Sequence, residues 1–202
     1  MARIDTGEMK SISKSSGSAS SRGLDCLIGG VTTISRWFAR LSGALVVLIS
    51  VLVGVEVVLR ALTDISMSFS HELSGYTLAI VSALSLAYAL LCKAHIRIDI
   101  VYYKVSGKWK RVMDVVALAM LLGFSIVLLQ ATWEVFFVSF ERNSVANTSL
   151  GTLLWVPQLV WVVGYALFAF VAALLLIRVL LAMRRGEVER AEYLVGGANS
   201  EL

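Results

Sequence analysis

The chain has 202 residues, of which 58% are hydrophobic and 16% charged, against about 25% charged in ordinary soluble domains, and its mean hydropathy is +0.81. That balance excludes a soluble globular protein. The net charge of +4 is gathered on particular loops between apolar runs, which a membrane surface explains better than nucleic acid, so no nucleic-acid partner is expected.

In chain order, residues 1–23 are rich in Ser and Gly and have no apolar core, so they read as a disordered cytoplasmic tail rather than a signal peptide or a span. Residues 24–40 place Leu24, Leu27, Ile28, Val31, Ile34 and Phe38 at helical spacing, with Arg36 and Arg40 off that stripe. This predicts an amphipathic helix lying on the membrane, with Trp37 at headgroup depth. Four apolar runs follow, at about 41–62, 73–92, 112–140 and 153–183. Each reaches the roughly 20 residues that cross a bilayer as a helix. Residues 24–185 therefore read as one four-helix membrane domain, all-α, followed by a cytoplasmic tail at 186–202. The third and fourth runs exceed the bilayer thickness, so they must tilt or project.

Positive charge fixes the expected orientation. Arg3, Lys10, Lys14, Arg22, Arg36 and Arg40 precede the first span, and Lys93, Arg97, Lys104, Lys108, Lys110 and Arg111 separate the second from the third. Arg184, Arg185 and Arg190 follow the fourth. Residues 63–72 carry no Lys or Arg, and residues 141–152 only Arg142. Both termini are accordingly expected in the cytoplasm of a multi-pass membrane protein. Cys26 and Cys92 fall at the cytoplasmic side, where a disulfide is not expected.

Polar residues inside the spans are the candidates for function. Glu56 and Arg60 lie four residues apart in the outer third of the first span, as an ion pair would. Glu72 opens the second span and Glu134 lies near the outer end of the third. A lone Glu in a first span could serve a proton relay, as in a small multidrug-type transporter acting as a homo-oligomer. Shallow depth and a neighbouring Arg favour a structural pair, because an Arg lowers a carboxylate's proton affinity. Gly43, Val47, Ser50 and Gly54 share one face of the first span, and Gly123, Gln130 and Glu134 one face of the third. Small and amide side chains suit contact with another helix, in this chain or in a partner.

No motif for hydrolysis, nucleotide binding or acyl transfer occurs, and the two histidines, His71 and His95, lie at opposite membrane surfaces, so neither an enzyme nor a haem protein is expected. Pro157, the one proline, comes early in the fourth span, where an unbroken helix tolerates it. Broken helices at the bilayer midplane, the usual mark of a substrate site, are therefore not indicated.

The segment around His95, Arg97 and Asp99 follows the second span. It alternates Ile with charge, then places Ile98, Val101, Tyr102 and Val105 on one side of a helix, which predicts a second interfacial helix in the cytoplasmic loop. His95 and Asp99 stand four residues apart and can hydrogen-bond, bracing that elbow.

Taken together, Arg60, then Ser70, His71, Glu72 and Leu73, then His95, Ile96, Arg97, Ile98 and Asp99, then Ser149, Gly151, Trp155, Pro157, Gln158 and Gly164, resemble in order and spacing the small membrane subunit of tripartite ATP-independent periplasmic (TRAP) transporters, the DctQ-like family. Ala61 stands where that family usually has an aromatic residue, and His71 where acidic or other polar residues are common. The resemblance implies a scaffold subunit that binds a large multi-span permease subunit and serves a periplasmic substrate-binding protein. It also implies secondary uptake of carboxylates, with no cofactor of its own and with sodium coupling carried by the permease. The outer surface, with Asp64, Glu72, Glu134 and Glu141, could attract basic patches on a docking protein.

Overall fold

A computed structural model describes residues 19–63, 69–92, 107–148 and 150–184. The predicted cytoplasmic-loop helix and its residues His95, Arg97 and Asp99 lie outside the described residues, as do Asp64 and Ser149. The structure has four helices, α1 (Ala19–Thr63), α2 (Phe69–Leu91), α3 (Gly107–Glu141) and α4 (Trp155–Arg184). Among the described residues there is no strand, and a single antiparallel bridge joins Val145 to Leu153. The stretches Leu27–Thr63, Phe69–Leu91, Val112–Glu141 and Trp155–Arg184 are each long and apolar enough to cross a membrane. The chain is an all-α integral membrane protein.

The sequence suggests a boundary near residue 40, between an interfacial helix and the first span. The structure instead has one helix of 45 residues, about 68 Å long at 1.5 Å per residue. Nothing there breaks it: no proline occurs in α1, and several hydroxyls that could compete with the backbone are turned back onto it, while those of Ser35 and Ser42 are buried without a partner. Thr32 donates to the Ile28 carbonyl at 2.6 Å and Ser50 to that of Val46 at 2.7 Å, so each hydroxyl is satisfied without disturbing the helix.

The stripe assigned to the membrane surface is in part a packing seam. Val31 is buried, and with Ile28 it lines a small apolar crevice against Leu91 of α2 and Val171, Leu174 and Leu175 of α4. Leu27, Ile34 and Leu41 are exposed, as is Trp37, over whose ring Arg40 stands at 5.7 Å. With Val31 in one cluster with Leu90 and Glu56 bonded to Ser70, α2 lies alongside residues 31–56 of α1. That is about ten residues earlier than the apolar run at 41–62 suggests.

The helices alternate in direction and form an open layer rather than a closed bundle. α1 packs on α2, α2 on α4 and α4 on α3, while neither α1 nor α2 packs to a comparable extent on α3. The spatial order is therefore α1, α2, α4, α3, with α2 and α4 parallel at the centre. Small residues bring those two together. Ala83 and Ala87 are wholly buried on α2, and a Cβ added at Gly164 of α4 would lie 2.8 Å from the Ala83 backbone carbon and its Cβ. Such close approach suits membrane helices, whose association rests on packing rather than on burial from water.

The outer helices each use one narrow seam. α1 buries Val31, Ser35 and Ser42, and α3 buries Leu118, Ser125, Thr132 and Ser139 at seven-residue intervals. Gly43, Val47, Ser50 and Gly54 on α1, and Gly123, Gln130 and Glu134 on α3, are exposed. Both polar or small-residue faces singled out in the sequence thus point away from this chain's own helices.

Candidate functional site

The polar side chains converge at one end of the layer, where α1 and α3 finish and α2 and α4 begin. On α1 the carboxylate of Glu56 accepts a hydrogen bond from the Ser70 hydroxyl in the first turn of α2. Ser70 is buried and Glu56 half-buried. Arg60, the partner expected for Glu56 one turn along α1, is exposed, and the contact Glu56 makes to Ser70 is between helices.

Glu72, one turn into α2, is only 9% exposed. Its Oε1 accepts from the Tyr76 hydroxyl at 2.8 Å, and the hydroxyls of Thr148 and Thr152, in the α3–α4 loop, stand beside the same carboxylate. Its Oε2 has no partner within hydrogen-bond distance. Glu72 thereby sits between the start of α2 and the loop, a placement the sequence left unread. The available signal was two threonines in a short loop following an acidic helix start.

That loop is built by local rules. α3 ends in a Schellman turn, in which Ser144 N–H donates to the Ser139 carbonyl at 3.0 Å and Asn143 N–H to that of Phe140 at 3.3 Å. Asn143 takes the left-handed conformation this requires, φ 46°. The chain then turns back on itself: Ala146 N–H bonds the Thr152 carbonyl at 2.9 Å, and Leu154 N–H that of Ser144 at 3.0 Å. Gly151, φ 58°, sits inside this turn, where a side chain would be strained.

Beneath the loop, rings run from α3 to α4. Trp133, Phe136 and Phe140 follow one another at 5.7 and 5.9 Å, and Phe140 meets Trp155 edge-on at 5.8 Å. Rings with this distribution suit the membrane–water boundary. Trp155 and Pro157 lie in the first turn of α4, which continues unbroken to Arg184. Gln158 places its side-chain oxygen in the interior without a donor.

The structure thus brings Glu56, Glu72, Trp155, Pro157 and Gln158 to one end, and leaves Arg60, Gln130 and Glu134 facing outward. Among the described residues, no three or more His, Cys, Asp or Glu side chains gather where a metal could sit. The carboxylates here meet hydroxyls that hold helices and a loop in place, which is assembly chemistry.

Fold and site together define a multi-pass helical membrane protein whose buried polar groups join its own elements. Comparison with protein families goes further. The family model for the DctQ component of tripartite ATP-independent periplasmic transporters matches residues 32–182. That stretch reaches from the packed part of α1 almost to the end of α4, and the chain belongs to this family, a transporter component and not an enzyme family. No curated protein and no solved structure matches the chain.

Proposed function

We propose that this chain is the small membrane subunit of a TRAP-type secondary transporter that imports organic acids. It works with a large multi-span permease subunit and a periplasmic substrate-binding protein in the bacterial inner membrane, with both termini cytoplasmic. The family match supports the assignment, and one structural observation carries the role. The four spans form an open layer whose polar groups at one end are engaged in tying helices and a loop together, while helix faces bearing Gly43, Ser50, Gly123, Gln130 and Glu134 turn away from the chain.

An open layer with outward polar faces is a scaffold that a second protein completes. Substrate and sodium then belong to the permease subunit, and this chain binds no cofactor. The Ser70 hydroxyl on Glu56 supports a structural use of that carboxylate over a proton relay, because the bond ties α1 to the first turn of α2.

Reconstitution provides the test. In vesicles holding both membrane subunits and supplied with the binding protein, a labelled carboxylate should accumulate down a sodium gradient. Vesicles holding this chain alone should not accumulate it. Transport of a lipophilic cation by this chain alone would overturn the reading in favour of a small multidrug-type carrier.

A further inference from the structure

Resting on the reading above, we infer that the outward stripe of α3, formed by Gly123, Val127, Gln130 and Glu134, is the seat for a transmembrane helix of the large permease subunit. That helix carries a cationic or hydrogen-bond-donating side chain level with Glu134.

The stripe is defined by what α3 does elsewhere. Its contact with α4 runs along Leu118, Ser125, Thr132 and Ser139. At about 100° per residue, Gly123, Val127, Gln130 and Glu134 fall roughly 140–200° around the helix from Ser125, on the side opposite α4. α3 is also an edge of the layer, so no described residue covers that side. Gln130 and Glu134 are exposed, and a Cβ at Gly123 would meet nothing within 4 Å.

Depth makes this exposure informative. Glu134 lies seven residues before the end of α3 at Glu141, about 10 Å below it, and Gln130 about 16 Å below it. The apolar stretch Val112–Glu141 is about 45 Å long, so a hydrocarbon core about 30 Å thick centred on it begins about 7 Å below Glu141, with Glu134 just inside its edge and Gln130 about a third of the way in. Gln130 cannot reach the surface as Lys or Arg can. An amide turned to lipid at that depth is costly, and such groups in membrane helices face protein or water instead.

The chemistry selects the occupant. All the charge on this side of α3 below Arg142 and above its first turn is acidic, Glu134 and Glu141. A second copy related by a two-fold axis along the membrane normal would set Glu134 against Glu134, like charges in a medium of low dielectric. A different chain can offer a donor to Glu134 and Gln130, and Gly123 lets its backbone come close, as Gly164 does for Ala83 within this chain.

The test uses membranes in which this chain is co-expressed with the tagged large subunit. A photo-reactive benzophenone amino acid at Val127 should give a light-dependent adduct carrying the tag. Glu134→Leu and Gly123→Phe should each lower the large subunit co-purified in mild detergent by about tenfold, the effect of losing one intramembrane polar contact or of blocking the seat. Because neither position touches a described residue of another helix, both variants should express and resist heat as the parent does when purified alone. An adduct with a second copy of this chain overturns the inference, and so does a tagged adduct with undiminished co-purification in both variants. If the parent co-purifies with the large subunit yet Val127 gives no tagged adduct, the inference fails and the proposed function stands. If the parent does not co-purify at all, both fail.

Discussion

Glu56 and Gly164 show how much one atom's position decides in this layer. The carboxylate of Glu56 turns toward Ser70, and a hydrogen bond to a charged group contributes about 1.5–3 kcal/mol. Glu56→Gln keeps an acceptor for that hydroxyl and removes the titratable proton. Carboxylate uptake by the complete transporter should therefore persist at half the parental rate or more, and loss of uptake with normal assembly would restore the proton-relay reading. Gly164 is constrained differently: its missing Cβ leaves room for the Ala83 backbone. Gly164→Leu should lower the stability of the purified subunit by at least the ~1–3 kcal/mol typical of overpacking, read as a fall in thermal unfolding midpoint in detergent. Gly123→Ala, in open space, should leave that midpoint unchanged or slightly raised, since Ala is the better helix former.

At the scale of elements, the positions of the four apolar helices were legible because hydropathy alone states which backbone can leave water. Two features were not. The continuity of α1 through residue 40 was left open between an interfacial helix and the start of the first span, because the same periodicity serves a membrane interface or a neighbouring helix; Val31 belongs to the second. The attachment of the α3–α4 loop escaped because it depends on side chains distant in sequence, Glu72 against Thr148 and Thr152. Glu72→Ala removes the acceptor of the Tyr76 hydroxyl and the carboxylate beside Thr148 and Thr152, at a cost of about 1–3 kcal/mol. The Schellman turn at Asn143 is independent of Glu72 and should survive. The bridge beyond it should loosen, so amide hydrogen exchange at Ala146 and Leu154, whose N–H groups close the turn, should accelerate several-fold. Unchanged exchange there would show that the turn holds itself and that Glu72 serves another end.

At the scale of the whole molecule, the outward faces of α1 and α3 were visible in the sequence as faces, but not as faces left empty by their own chain. That distinction needs the order α1, α2, α4, α3, which no periodicity encodes. The same layer gives its loop end a charge. Glu141 is exposed at the end of α3, Glu72 is buried beside the loop, and Arg142 is the one basic residue between α3 and α4. With Asp64, whose placement lies outside the described residues, this end is acidic. If it faces the periplasm as proposed, it would repel a free carboxylate and attract a binding protein with basic patches, so its use is in docking rather than in holding substrate. Exposed charges act through water and are screened beyond about 10 Å at 0.1 M salt. Replacing Asp64 and Glu141 together by Asn and Gln should therefore slow association of the binding protein with the assembled transporter several-fold at low ionic strength, with the difference shrinking as salt is raised. Stopped-flow association rates across a salt series measure this directly. Equal rates at low salt would remove these two carboxylates from the docking surface while leaving assembly with the permease untouched.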